Sequence, residues 1–266
     1  MAMFSIGVCK VKPFGQAIQT KLAEIINRGV LTDNLNFLSL PGLHLLNMTK
    51  KKNLFIAFEG IDGSGKSTQA KLLSEHLIRE GHQVYFTFEP TDSPIGSIIR
   101  NIFTHKMEAD HRTIAGLFVA DRLDHLLNKT NGILKKLEDG YTVITDRYYF
   151  SSYAYHGAHL SMDWVIEANA LSAGLLRPDL NIFIEITPEI SMQRITSGRG
   201  SLELFETLEN LIKVREMYYE AFAKLKLQEK VFITDGNRTP ELIAADIRNK
   251  ISQLSLATHI STHQSD

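Results

Sequence analysis

Eight consecutive residues, Gly60-Ile61-Asp62-Gly63-Ser64-Gly65-Lys66-Ser67, match the pattern G-x-x-x-x-G-K-[ST], and Thr68 follows them directly. Glycines at such positions let backbone N–H groups close around phosphate oxygens, while a helix starting there turns its positive end toward the same oxygens. Lys66 is then placed to bridge the β- and γ-phosphates of a nucleoside triphosphate, and the Ser67 hydroxyl to ligate Mg²⁺. The plainer alternative is a glycine-rich turn that binds nothing. The flanks argue against it, because the motif sits between a strand-like run and a helix-like one.

A second group of residues could hold another phosphate ester. Val143-Ile144-Thr145-Asp146-Arg147 is an apolar run ending in a carboxylate and a guanidinium. Ligands of open α/β sheets gather at the carboxyl ends of strands. Asp146 is therefore expected near the metal or its waters, and Arg147, with its planar fork, near an acceptor phosphate. A surface ion pair is the bland reading. Phe118 and Arg122 are one helical turn apart, so an aromatic plane and a donor-rich side chain share a face and could stack a planar base and bond its edge. Core phenylalanine plus solvated arginine is the commoner use of that spacing. Tyr153 and Tyr155 follow Arg147, with core packing the plain reading for Tyr153 especially. Asn128-Lys129-Thr130-Asn131 looks superficially like a guanine-reading motif but has Asn131 where that motif needs Asp, and it is set aside.

These residues need a scaffold, and the hydrophobic pattern supplies one. Strands are predicted at Leu54–Phe58, Val84–Phe88, Tyr141–Thr145, Leu180–Ile186 and Val231–Thr234. Helices are predicted over Ser67–Arg79 (closed by Gly81), Ile95–Phe103, Arg112–Leu137, Glu189–Ile195, Phe205–Lys226 and Pro240–Ile251. Short strands separated by helices predict an α/β fold, a five-stranded parallel sheet covered on both faces. No repeat and no Pro/Gly/Ser linker divides this part, so residues 48–255 are read as one domain, with 256–266 a polar tail. Residues 1–47 are read as a loosely ordered extension. Lys10, Lys12, Lys21 and Arg28 outnumber Glu24 and Asp33 there, making it mildly basic and the rest mildly acidic. It lacks the compact apolar stretch and cleavage site of a targeting peptide.

Bulk composition excludes whole classes. A 44% hydrophobic, 22% charged chain of 266 residues is neither disordered nor collagen-like. A single cysteine, Cys9, forbids an intrachain disulfide and a cysteine-based zinc site, and makes a reducing, cytoplasmic setting the default. A net charge of −1 gives no global attraction to nucleic acid or anionic membrane, and neither is expected as a partner. No uncharged apolar run reaches the roughly 18 to 20 residues that span a bilayer.

Taken together, several segments resemble the thymidylate kinases, from about Asn53 to the last helix. They are Phe58-Glu59-Gly60 through Ser67-Thr68-Gln69, Glu89-Pro90-Thr91-Asp92-Ser93-Pro94-Ile95-Gly96, Leu117-Phe118-Val119-Ala120-Asp121-Arg122, Asp146-Arg147-Tyr148-Tyr149 onward to Tyr155, and Arg177-Pro178-Asp179-Leu180. The resemblance implies a P-loop NTPase fold with a lid, and Mg²⁺-dependent transfer of the γ-phosphoryl of ATP to dTMP, giving dTDP for dTTP synthesis. It also implies a homodimer. Within that family Asp62 corresponds to a contact near the deoxyribose 3′-hydroxyl, Phe118 stacks on thymine, Arg122 bonds the base edge, Arg147 holds the dTMP phosphate, and Tyr155 crowds the place of a 2′-hydroxyl. Asp62, Gly63 and Ser64 occupy the loop's variable positions and offer no arginine, so the resemblance assigns the catalytic cation to the lid. Arg194 and Arg199 flank Thr196-Ser197-Gly198 there, and Arg199 is favoured. Three positions depart from the family pattern: Phe88 and Leu204 stand where arginine is common, and His156 where glutamine is.

Overall fold

The computed structural model describes residues 53–198 and 203–261, with side chains as far as residue 254. The chain divides between residues 49 and 50. The stretch 1–47 read as an extension lies outside the described residues, as does Arg199. In chain order the elements are β1 (Phe55–Glu59), α1 (Lys66–Arg79), β2 (Val84–Phe88), α2 (Pro94–Phe103), α3 (His111–Leu127), α4 (Ile133–Glu138), β3 (Thr142–Asp146), α5 (Tyr149–Gly157), α6 (Met162–Ala168), α7 (Ala170–Leu175), β4 (Leu180–Glu185), α8 (Pro188–Gly198), α9 (Leu208–Leu225), β5 (Val231–Asp235) and α10 (Pro240–Ser261).

The five strands form one parallel sheet in the order β2-β3-β1-β4-β5, the architecture of P-loop NTPases. β1 lies at its centre and all five of its residues are buried. Successive side chains of a strand point to opposite faces. Phe55 and Ala57 accordingly enter a cluster with Tyr148, Phe183 and Tyr218, whereas Ile56 and Phe58 join Leu73, Ile182 and Ile247 on the other side. From β1 the chain crosses past β3 to β2 at the edge, whereas from β3 it crosses back past β1 to β4, so the crevice between β1 and β3 is a topological switch point.

Some predicted boundaries change. The single helix expected over Arg112–Leu137 is two, because the Asn128 side chain accepts the backbone N–H of Thr130 at 3.0 Å and turns the chain before Gly132. The helix expected from Phe205 starts at Leu208, where Thr207 caps it by accepting the Asn210 N–H at 3.3 Å. The last helix continues past residue 255 to Ser261. Three helices between Tyr149 and Leu175 had no counterpart in the sequence pattern.

Candidate active site

The phosphate loop leaves β1 through Gly60 and returns at Gly65, the residue before α1. Gly63 has φ +72°, and a Cβ there would lie 2.9 Å from the Ser191 carbonyl oxygen, so both conformation and space require glycine. No side chain caps α1 at Gly65, which leaves its first N–H groups to the loop's ligand. Lys66 lies in the wall, 5% exposed. Its Nζ donates to the Ile61 carbonyl at 3.2 Å and sits 3.6 Å from Asp62 Oδ1. Burial, reinforced by the nearby Arg147, lowers its pKa from the usual lysine value.

Pairing of β1 with β3 sets Phe58 beside Asp146 and brings the end of β3 to the root of the loop. The Ser67 hydroxyl donates to Asp146 Oδ2, while Asp146 Oδ1 is buried with no hydrogen-bond partner. A free carboxylate oxygen next to a hydroxyl, at the mouth of a phosphate loop, is an oxygen donor set of the kind a hard divalent cation takes.

Arg147, next in the chain, adopts φ +76°, a left-handed conformation uncommon outside glycine. Its guanidinium donates to Asp62 Oδ1 and, at 3.2 Å, to Ser151 Oγ, and it lies 4.9 Å from the Tyr155 ring centre. The Tyr155 hydroxyl donates to Asp62 Oδ2 at 2.7 Å. Burial opposes the charge on Arg147, but the Asp62 carboxylate outweighs it and holds the guanidinium's pKa well above the ordinary value. Asp62 thus joins the phosphate loop to the helix after β3.

This cluster forms one end of a cavity of about 330 Å³, within the range of small-ligand sites. Lys66, Ser67, Asp146, Arg147, Tyr155 and Asp62 line that end. Phe118 and His156, with ring centres 5.1 Å apart, line the other. Phe205 closes it at 5.9 Å from Tyr155 and 5.3 Å from Phe103. Burial, followed by the charge of Arg122, lowers the His156 pKa to about 3, so its imidazole is neutral.

Arg122, expected to read a base edge, is not brought to the cavity. It is 1% exposed and donates through Nε to Glu89 Oε2 at 3.0 Å and through Nη1 to Ser152 Oγ at 3.0 Å, with Asn169 taking a further bond. Its fork is engaged behind the wall, and Ser152 is the member of this group that faces the cavity. Arg100 also lines the cavity, and its Nη1 donates to the Pro90 carbonyl at 3.0 Å. Nothing in the spacing of α2 marks that arginine. Phe88 lies at the rim, 37% exposed, and Leu204 packs against the core cluster.

Beyond the loop, Arg194 of α8 donates to the Gly63 carbonyl at 3.3 Å and the Gly236 carbonyl at 3.0 Å. With Gln193 and Asn237 it borders an open hollow of about 590 Å³. Arg194 is therefore tied to the base of the loop rather than standing free beside it. Among the described residues no helix is long and apolar enough to cross a membrane.

The thymidylate kinase family model matches residues 58–247. A probable thymidylate kinase of Pyrobaculum aerophilum is 39% identical over 201 residues, which cover 75% of this chain and 97% of that protein. A probable thymidylate kinase of Pyrococcus horikoshii is 40% identical over 183 residues, 64% of this chain and 86% of its own length. The thymidylate kinase of Leptospira borgpetersenii is 34% identical over 201 residues, again 75% of this chain and 93% of its own. The matched span includes both ends of the cavity, from the phosphate loop to the closing Phe205. The chain belongs to the thymidylate kinase family.

Proposed function

We propose that this enzyme phosphorylates dTMP to dTDP with ATP as the donor, and that its two nucleotides meet across the Asp62–Arg147 contact. The observation that carries the reading is that contact itself: the acceptor cavity and the phosphate loop share one wall. The loop from Gly60 to Thr68 takes the ATP phosphates, with Lys66 bridging the β- and γ-groups. Ser67 and Asp146 would hold Mg²⁺, which would supply charge that offsets that of the phosphates. The hollow by Arg194 and Asn237 fits the nucleoside end of the donor.

On the acceptor side, Phe118 stacks the thymine, Arg147 takes the phosphate, and Tyr155 lies against the sugar beside Asp62. Neutral His156 meets the base edge, and Arg122 acts from behind by fixing Ser152. A phosphate monoester is already anionic near neutral pH, so it can attack without a general base. Catalysis is then alignment and charge compensation by Lys66, Arg147 and a lid cation, Arg199, as the lid excludes water. Exposed Trp164, Leu171 and Leu175 on the short helices α6 and α7 support a homodimer, testable by solution mass, and the lone Cys9 supports a cytoplasmic setting.

A coupled ADP-release assay with dTMP, dUMP, dCMP, dGMP and AMP tests the reading. Turnover is expected to be strongest with dTMP. No turnover with dTMP, or equal turnover with all five, overturns it.

A further inference from the structure

The Arg147 turn is held from a residue given no role above. Glu59, the last residue of β1, is completely enclosed. Its Oε1 accepts the backbone N–H of Tyr148 at 3.0 Å, and its Oε2 accepts the hydroxyls of Ser151 at 2.6 Å and Tyr218 at 3.1 Å. Ser151 Oγ in turn accepts Nη1 of Arg147 at 3.2 Å. A hydroxyl has one proton to give. While that proton goes to Glu59, the oxygen's lone pairs remain for the arginine.

We infer that Glu59 is a positioning residue for the acceptor phosphate, holding Arg147 in place through the Tyr148 N–H and the Ser151 hydroxyl. Two observations converge on this. The first is backbone strain: a non-glycine residue at φ +76° persists only where its surroundings over-determine it. The Arg147 turn is fixed by its own N–H to the Phe58 carbonyl at 2.9 Å, by the Thr145 hydroxyl to its carbonyl at 2.9 Å, and by Glu59 at the next N–H. The second is the direction of the bonds. Ser151 donates to Glu59 and accepts from Arg147, so loss of the carboxylate removes the acceptor that fixes the hydroxyl's rotation and leaves its proton free to swing toward Tyr218, 2.9 Å away, which loosens the oxygen's hold on the guanidinium. Burial raises the Glu59 pKa to about 7, so at pH 8 the carboxyl is ionised and its charge adds attraction for Arg147.

The inference rests on Arg147 being the phosphate ligand, and the test separates the two. Equilibrium binding of dTMP, thymidine and ATP is measured at pH 8 for the parent, Glu59→Gln, Ser151→Ala and Arg147→Ala. Thymidine lacks the phosphate, so a loss carried by Arg147 must spare it. Glu59→Gln is expected to weaken dTMP about tenfold, as for one charge-assisted hydrogen bond, with thymidine and ATP within about twofold of the parent. Ser151→Ala is expected to show the same selectivity with about a threefold loss, and it carries the test if Glu59→Gln does not fold. Parallel weakening of dTMP and thymidine in these variants means that Glu59 shapes the cavity generally, and overturns the inference. Unchanged dTMP binding in Glu59→Gln or in Ser151→Ala overturns it too. If Arg147→Ala itself leaves dTMP binding intact, the phosphate role of Arg147 fails and the inference falls with it.

Discussion

Replacing Glu89 with glutamine should separate the structural role of Arg122 from any direct one. Glu89 and Arg122 side chains are each 1% exposed, and the carboxylate takes both Nε and Nη2 of the guanidinium while His125 Nδ1 lies 3.1 Å from its other oxygen. Burial would raise the Glu89 pKa, yet Arg122 and then His125 outweigh it and lower it below the usual carboxylate value. Glutamine keeps the shape and an acceptor oxygen but removes the charge, so Arg122 remains buried among neutral partners only: the amide, Ser152 and Asn169. Breaking a buried ion pair from one side costs about 3–5 kcal/mol, and the retained hydrogen bonds place this change near 3 kcal/mol. For a folded unit of this size each kcal/mol moves the midpoint by roughly 2–4 °C, so Tm should fall by about 6–12 °C. Scanning calorimetry at pH 7.5 measures it. A double variant, Glu89→Met with Arg122→Met, removes both charges and should recover at least half of the loss. The depressed pKa makes this stabilisation available above the unfolded value, near 4.3, and lost as pH falls through the lower folded value, so parent and Glu89→Gln should converge in acid. A Tm change under 2 °C, or a double variant less stable than the single, would refute the account of Arg122 as a buried, charge-paired strut.

Three other outcomes are expected. Lys66→Ala should cut kcat by at least about a hundredfold while leaving the melting transition cooperative and close to the parent's, as expected for a cation acting on the transferring phosphoryl group. Asp146→Asn should raise the Mg²⁺ concentration for half-maximal rate several-fold, read from a metal titration at saturating nucleotide, because one charged oxygen donor is replaced by a neutral one. Glu59, whose pKa burial raises to about 7 against the partial opposition of Ser151 and Arg147, should make stability fall as pH rises from about 4.5 to 7, by on the order of 3 kcal/mol. Thermal scans of the parent and Glu59→Gln across that window should show the parent losing ground, and parallel curves would contradict the assignment.

The parts of this molecule that could be read from its sequence are those where one physical rule acts alone. β1 and the phosphate loop were legible because an apolar run and the G-x-x-x-x-G-K-[ST] spacing point to the same turn, where the structure puts Gly60, Gly63 and Gly65 at positive φ. The segment from Tyr149 to His156 was not, because every residue in it is buried. A helix enclosed on all sides has no polar face, and without one the 3.6-residue period leaves no trace. Arg122 shows a different limit. Its spacing from Phe118 was visible, but the partners that draw it away from the cavity, Glu89 and Asn169, come from segments 33 and 47 residues distant. Arg100 escaped for the same reason, since only the path of the chain through Pro90 brings its helix to the cavity.

The contact between Asp62 and Arg147 also has a thermodynamic side. Asp62 belongs to the loop that grips the donor, Arg147 to the acceptor wall, and Asp62 also lies 3.6 Å from Lys66. On the proposed reading, a dTMP phosphate that draws Arg147 away would leave the carboxylate to Lys66 and the Tyr155 hydroxyl and so would change the charge that ATP meets. Linkage makes such an effect mutual: the factor by which one nucleotide alters affinity for the other must be the same in either order of addition. On that reading one shared carboxylate would be enough to make the occupancy of each half of the site a function of the other, with no movement of the sheet.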